Sequence, residues 1–441
     1  MSFIADQQTV EDLNILGRFR PNSIFGLFNK VKTTGGKRLL EEMFRQPMTD
    51  VTAINQRSST FRYFQDKQLP FPFENTTFRQ VEDYLGGGSG GWMATAVGLV
   101  RKKINAVFLR GEDFAKEESG LRATLQALEA TRILLARMQE DHNGPFSRPA
   151  GQLTALLADD RLLPLVAVND RQPLSLLQMI RYDHLLRYTF RKGMERWMAI
   201  VYELDVWIAV SGVARQRGFS YAAALPADRH LLRTTALQHP ALEKAVANPV
   251  SLEKTQNVML LTGANMAGKS TFMKSLGIAV YLAHMGFPVA AAHMEFSVLD
   301  GLFTSINVSD NLHLGYSHFY AEVMRVKTVA TAVSAGKNLL VIFDELFKGT
   351  NVKDAYDATL AVTKAFARYY NCLFVISTHI VEVGAALQQQ NNNIQYCYLP
   401  TRMEGAVPAY TYRLTSGISS DRHGMMIIQN EKILDIIRSA N

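Results

Sequence analysis

The stretch that most constrains this 441-residue chain is 257–271, NVMLLTGANMAGKST. Val258–Leu261 is an apolar run that ends in Thr262 and Gly263, and a helix-like stretch begins near Ser270, which together predict a strand, a tight loop and a helix. The spacing Gly263-x4-Gly268-Lys269-Ser270 is the phosphate-loop pattern, in which backbone N–H groups and a positive helix N-terminus surround the β- and γ-phosphates of a nucleotide. It makes Gly263, Ala264, Asn265, Met266, Ala267, Gly268, Lys269, Ser270 and Thr271 the candidate ATP contacts. Lys269 would lie on the phosphates, and the Ser270 hydroxyl would ligate Mg2+.

A second run, Leu339–Glu345 (LLVIFDE), is continuously apolar and ends in two carboxylates, as a strand buried on both faces would read. Asp344 is the candidate metal carboxylate and Glu345 the candidate base for the water that attacks the γ-phosphate. Taken alone, the first motif is a loop that chance can supply and the second an acidic helix start after a core strand. Their pairing points to nucleotide hydrolysis.

Composition sets wider bounds. With 47% hydrophobic and 20% charged residues the chain is globular, with enough length for roughly three domains of packed structure. A formal net charge of +7 permits a polyanionic partner without requiring one. Two cysteines, Cys372 and Cys397, make no disulfide framework and fit a reducing, cytoplasmic setting. The N-terminus lacks a basic segment followed by an apolar one, and no uninterrupted run of about 18 apolar residues occurs, so neither an export signal nor a membrane span is expected.

Along the chain, residues 1–80 carry apolar positions at helical spacing and predict short helices joined by turns. Gly86–Gly91, GGGSGG, breaks the pattern, either as a flexible loop or to let backbone approach a neighbour closely. Helical patterning returns over 93–140, where Arg101-Lys102-Lys103 and Glu117-Glu118 read as a solvated face. From Leu174 to Arg217 no proline occurs, and the apolar spacing allows one helix of about 60 Å, bent or interrupted at Gly193. Its Arg181, Arg187, Arg191, Lys192 and Arg196 are candidates for a phosphate-facing surface. After Leu231 short apolar runs alternate with helical stretches, which predicts a parallel α/β sheet with ligands at the strand C-termini.

Several segments resemble the MutS mismatch-repair family. SIFGLFNKVKTTGGKRLLEEMFRQP resembles the start of the family's core domain, and Gln238-His239-Pro240 with Asn248-Pro249 matches its "HP…NP" approach to the phosphate loop. GYSHFYAE (315–322) resembles the signature "GRSTFMVE", Lys348-Gly349-Thr350-Asn351 stands where the family has "GRGTS", and FVISTH, GFPVAA and RHGMMIIQ (422–429) resemble further family segments. The resemblance implies a multidomain chain: an all-α lever or core domain over 1–230, followed by an α/β ABC-type phosphate-loop ATPase domain over 231–441. It further implies a homodimer closing around ATP, with Ser317 reaching the γ-phosphate held by the other subunit and His379 near the γ-phosphate. DNA is the implied partner of the lever, read by backbone and shape, with other repair proteins possible and no membrane.

Departures bear on this reading. Ala264 and Ala267 replace a proline and a glycine of the family loop, His318 a threonine and Lys348 an arginine, all without loss of a catalytic group. The sequence also carries no counterpart of the family's Phe-x-Glu mismatch wedge or connector domain, and 85–175 looks short for a full DNA clamp. The alternative expectation is therefore a nucleotide-switched protein adaptor that does not bind DNA directly.

Overall fold

Four five-residue strands with every residue buried form the centre of a seven-stranded sheet: β6 (Val258–Thr262), β9 (Gly301–Ser305), β10 (Leu339–Phe343) and β11 (Leu373–Ser377). The structure, a computed structural model, describes all residues except 1, 18–21, 89, 110–111, 139–143, 163–164, 166–173, 265, 307–317, 390–391, 405–406, 420–435 and 437–441. Strand order is β1 (Ile4–Ala5), β9, β10, β11, β6, β12 (Ile394–Tyr398), β15 (Thr415–Ser416). Neighbours are parallel except the last pair, so the continuous apolar runs are those of strands covered on both faces. Helices α11 (Lys269–His284), α12 (His318–Ser334), α13 (Val352–Ala367) and α14 (Val381–Gln388) alternate with these strands. A second sheet orders β3 (Ala223–Leu225), β8 (His293–Ser297), β4 (Leu231–Leu237) and β5 (Asn248–Glu253). Two strand pairs complete this part, β2 (Ser220–Tyr221) with β7 (Pro288–Val289) and β13 (Thr401–Glu404) with β14 (Val407–Tyr410).

The N-terminus belongs to this α/β unit. β1 extends the sheet beside β9, and α1 (Gln7–Asp12) follows, capped by the Asp6 carboxylate, which accepts the Thr9 N–H at 3.0 Å. Asp12 then accepts from the Thr304 hydroxyl at 2.8 Å and the Ile306 N–H at 2.9 Å, satisfying backbone just past β9. Arg325 of α12 ion-pairs with Asp6 and donates to the Thr304 carbonyl. Helix α2 (Ile24–Phe28) packs here as well: Phe28 lies edge-on to Phe287 with ring centroids 5.7 Å apart.

The chain divides into two compact units that interleave in sequence. The first gathers Met1–Phe28, Phe44–Ser58 and Val213–Asn441; the second, Asn29–Met43 and Ser59–Gly212. A mixed helical and α/β protein is therefore present as expected, but the helical part does not simply precede the α/β part. The all-helical reading of 1–80 is corrected at β1, whose two residues are too few to print a period of two.

His284, at the end of α11, ties the first unit together. Its Nδ1 donates to the Met48 carbonyl at 2.8 Å, and its Nε2 accepts the Leu299 N–H at 3.3 Å, an arrangement that only the neutral ring can make. Complete burial pushes this imidazole from an ordinary 6.5 down to about 4. Because the unfolded chain binds the proton more readily, the neutral ring's contribution is fully present above pH 6.5 and is lost as pH falls towards 4. The expected loss is about 3 kcal/mol, checked by denaturant unfolding from pH 7.5 to 4.5 together with NMR titration of His284. An imidazole resonance that titrates at its unperturbed value would contradict this placement.

The second unit is helical: α3 (Thr34–Arg45), α4 (Val51–Lys67), α5 (Asn75–Gly86), α6 (Trp92–Leu109), α7 (Asp113–Met138), α8 (Ser147–Leu157), α9 (Leu176–His184) and α10 (Arg191–Arg217). The helix foreseen over 174–217 is interrupted by one π-helical turn, Leu185–Thr189, and by Phe190. Gly193 marks the break from downstream, since a Cβ there would meet the Phe190 ring at 2.3 Å. What remains, α10, is about 40 Å long. It is long and apolar enough to cross a membrane by composition alone, but 61% of that window is buried, with Trp197, Ile200, Val201 and Leu204 in the helical core. On the same helix Asp205 accepts the Lys32 and Thr33 N–H groups and the Thr33 hydroxyl at 2.7–3.0 Å, satisfying the backbone that leads into α3.

Gly87 is a close approach, because a Cβ would stand 2.9 Å from the Arg187 guanidinium, whereas Gly86, Gly88 and Gly91 face open space. Arg187 itself, its side chain only 9% exposed, is enclosed by Asp183 (2.8 Å) and Glu117 (3.3 Å), so it is no phosphate-facing group. Lys102 also pairs with Glu117, and Arg122 with Glu118. The charges of 101–122 thus partly satisfy one another.

Candidate functional site

The predicted loop leaves the C-terminal end of β6, near the middle of the sheet, and enters α11. Gly263 (φ +139°) and Gly268 (φ +100°) take backbone conformations that favour glycine, and Gly268 caps the helix. A Cβ at Gly268 would also stand 2.9 Å from the Tyr412 ring. Asn248 holds that neighbour, donating to the Tyr412 carbonyl at 2.9 Å and accepting the Leu414 N–H at 2.6 Å. The "NP" of the sequence therefore fixes a loop that flanks the glycines, a role no motif reading assigned. Ala267 is buried and Met266, at φ +70°, is 77% exposed. Asn265 lies outside the described residues.

Lys269 is only 4% exposed. Its ammonium donates to the Gly263 carbonyl (2.9 Å) and the Ala264 carbonyl (3.2 Å), and lies 3.5 Å from Glu345. Backbone N–H groups at the first turn of a 16-residue helix and one buried ammonium thus converge on the loop, a cradle suited to an anion. Ser270 and Thr271, in that first turn, are exposed.

The two carboxylates emerge from β10, separated from β6 by β11. Register places Phe343 opposite Ile376 and Ser305, so Asp344 arrives level with Ser377 of β11. There the Ser377 hydroxyl donates to Asp344 Oδ1 at 2.6 Å and accepts the Glu345 N–H at 3.1 Å. The Asp344 N–H is taken by the Ser305 carbonyl at 2.9 Å, and Asp344 Oδ2 accepts from the Ser270 hydroxyl. Ser377 is not among the candidate residues that the sequence motifs single out. Its signal, visible only once register is known, is a small hydroxyl one strand over from the first carboxylate.

Glu345 (φ +54°) and Phe347 (φ +61°) both occupy the left-handed region, which costs of order 1–3 kcal/mol each for residues with a Cβ. That strain turns the chain so that Glu345 faces Lys269 instead of continuing the strand. His379 follows β11 and is exposed, beyond Thr378, whose N–H is held by the Leu261 carbonyl at 3.1 Å. Ser317 and the segment 422–429 lie outside the described residues. The structure thus brings together Gly263, Gly268, Lys269 and Ser270 of one stretch of chain with Asp344 and Glu345 of another.

For a divalent cation, the facing Ser270 hydroxyl and Asp344 carboxylate are hard oxygen donors of the kind Mg2+ takes. No group of three or more His, Cys, Asp or Glu gathers among the described residues, so a cation here would draw its other oxygens from water and phosphate, as Mg2+ commonly does. The cysteines take no part. Burial pushes both thiols up to about 11, which leaves them unreactive near neutrality.

A parallel α/β sheet with a glycine loop on one strand and a clamped carboxylate pair two strands away defines the class: an α/β protein with its polar site at the strand C-termini. The family model described as MutS domain III matches residues 8–211, and that described as MutS domain V matches 259–441. The chain belongs to the MutS family. It is 23% identical over 420 residues to the DNA mismatch repair protein MutS of Staphylococcus haemolyticus, covering 90% of this chain and 46% of that one. It is 31% identical over 230 residues to the DNA mismatch repair protein MutS of Anaplasma phagocytophilum, covering 52% of this chain and 27% of that one. The chain thus spans less than half the length of these relatives.

Proposed function

We propose that this chain is a MutS-type ATPase whose α/β unit binds and hydrolyses ATP and whose helical unit holds DNA, in the service of DNA mismatch repair or a related repair or recombination process. The observation that carries the reading is the chain of contacts Ser270–Asp344–Ser377–Glu345, which sets a metal-type oxygen pair and a strained carboxylate beside a buried loop lysine.

In this reading Lys269 and the N–H groups of 263–271 hold the β- and γ-phosphates. Ser270 and Asp344 hold Mg2+, which when bound neutralises phosphate charge. Glu345 takes the proton of the attacking water as the water oxygen bonds to the γ-phosphorus and the bond to the bridging oxygen breaks. Ser377 fixes both carboxylates, one through its hydroxyl proton and the other by accepting a backbone N–H. His379, at the exposed end of β11, responds to the γ-phosphate, and Ser317 completes the site of a second subunit in a homodimer formed through the ATPase domains.

A lever that responds to the nucleotide state is part of the same proposal, drawn from the MutS domain III match over residues 8–211. The names of the relatives and the net charge of +7 support DNA as the lever's partner, contacted through backbone and shape. A cytoplasmic location is part of the same proposal.

Glu345→Gln tests the chemistry, because it keeps the shape and removes the base. ATP binding is expected to persist while phosphate release falls at least about 100-fold. Turnover within a few-fold of the unsubstituted protein would move the base elsewhere.

A further inference from the structure

Helix α6 carries two apolar seams. One, formed by Thr95 and Leu99 with Lys102 and Ala106 in line, is turned inward; Thr95 and Leu99 are buried and Lys102 pairs with Glu117 of α7. The other is turned outward and consists of Met93, Val97, Val100, Ile104 and Val107, exposed between 38% and 76%. Their spacing is four, three, four, three, which is the seam of a coiled coil, and it continues for two heptads or about 20 Å. Phe108, 79% exposed, lies at its end. Isolated surface leucines and valines need no explanation, but five in register on one helix face form the complementary half of a helix–helix contact.

Charge selects the occupant. Arg101 and Lys103 flank the seam on opposite sides and are exposed, and α6 contains no Asp or Glu. A second copy of α6 would bring the same cations against them in either orientation. A helix with glutamates or aspartates beside its apolar row would pair with them instead.

We propose that the outward face of α6 is a docking seam for an acidic amphipathic helix of a partner protein. The seam belongs to the helical unit and uses none of the residues assigned to nucleotide chemistry. Docking therefore stands or falls independently of ATP hydrolysis. Two heptads are short, so the contact is weak alone and suits a reversible partner.

The test uses the full chain and two synthetic helical peptides with leucine and isoleucine in the seam positions, one with glutamate and one with lysine at the flanking positions. Fluorescence anisotropy is expected to show the acidic peptide binding at least about 10-fold more tightly than the basic one. Val97→Asp with Ile104→Asp, both at exposed positions, is expected to lower that binding at least about 10-fold with the far-ultraviolet CD spectrum and melting unchanged. Arg101→Glu with Lys103→Glu is expected to reverse the preference between the peptides. Equal binding of the two peptides, no binding of either, or binding untouched by Val97→Asp with Ile104→Asp would overturn the proposal. So would seam-dependent binding to anionic vesicles in place of the acidic peptide, or seam-dependent self-association in sedimentation without any peptide.

Discussion

Lys269→Ala is expected to weaken ATP binding at least about 100-fold in a nucleotide titration, since two charge-assisted hydrogen bonds to phosphate contribute about 3 kcal/mol or more. The side chain is nearly fully buried and its ammonium is already held against the loop carbonyls of Gly263 and Ala264, so a positive charge is fixed at the loop by the protein itself. Removing it also leaves those carbonyls without this donor and Glu345 without its nearest cation. Lys269→Arg should not restore binding, because a forked guanidinium does not reproduce the point contacts of a buried ammonium. Affinity within about threefold of the unsubstituted protein would refute the assignment of Lys269 to phosphate.

The second large effect is on stability. Trp197 on α10 is fully buried, its indole N–H donates to the Thr131 hydroxyl at 3.1 Å, and the rings of Phe78 and Phe73 lie 5.9 and 6.4 Å away. Trp197→Ala would open a large cavity in the helical core and leave the Thr131 oxygen without that donor, for an expected loss of about 3–5 kcal/mol. Urea unfolding followed by far-ultraviolet CD reads this directly, and Trp197→Phe should cost less. A loss below about 1 kcal/mol would mean that the helical core does not depend on this ring.

Much of the site was legible because each of its parts has a strong local cause. A phosphate-loop spacing demands glycines at Gly263 and Gly268, where the backbone does take positive φ, and a buried parallel strand demands an apolar run such as 339–343. What escaped depends on register and on contacts far apart in sequence. Ser377 matters only because β11 stands beside β10 with Asp344 level with it. Tyr412 matters because Asn248, 164 residues away, holds its carbonyl. The N-terminal strand escaped because Ile4 and Ala5 add to the sheet through backbone pairing with Gly301 and Leu302, which leaves no side-chain period to read. The interruption before α10 was placed at Gly193, yet the glycine serves the Phe190 ring and the backbone departs upstream of it. Arg187 looked like a surface cation because helix periodicity does not reveal that Asp183 and Glu117 enclose it.

The most direct measurement of the central claim is steady-state ATP turnover by the full chain, with Glu345→Gln as the blank, alone and with homoduplex, mismatched, branched and single-stranded DNA at two salt concentrations. A DNA-responsive ATPase predicts turnover well above the blank that at least one DNA form raises or lowers, with the effect weakened at the higher salt. Turnover no higher than the blank, or identical with every DNA at both salts, would contradict it.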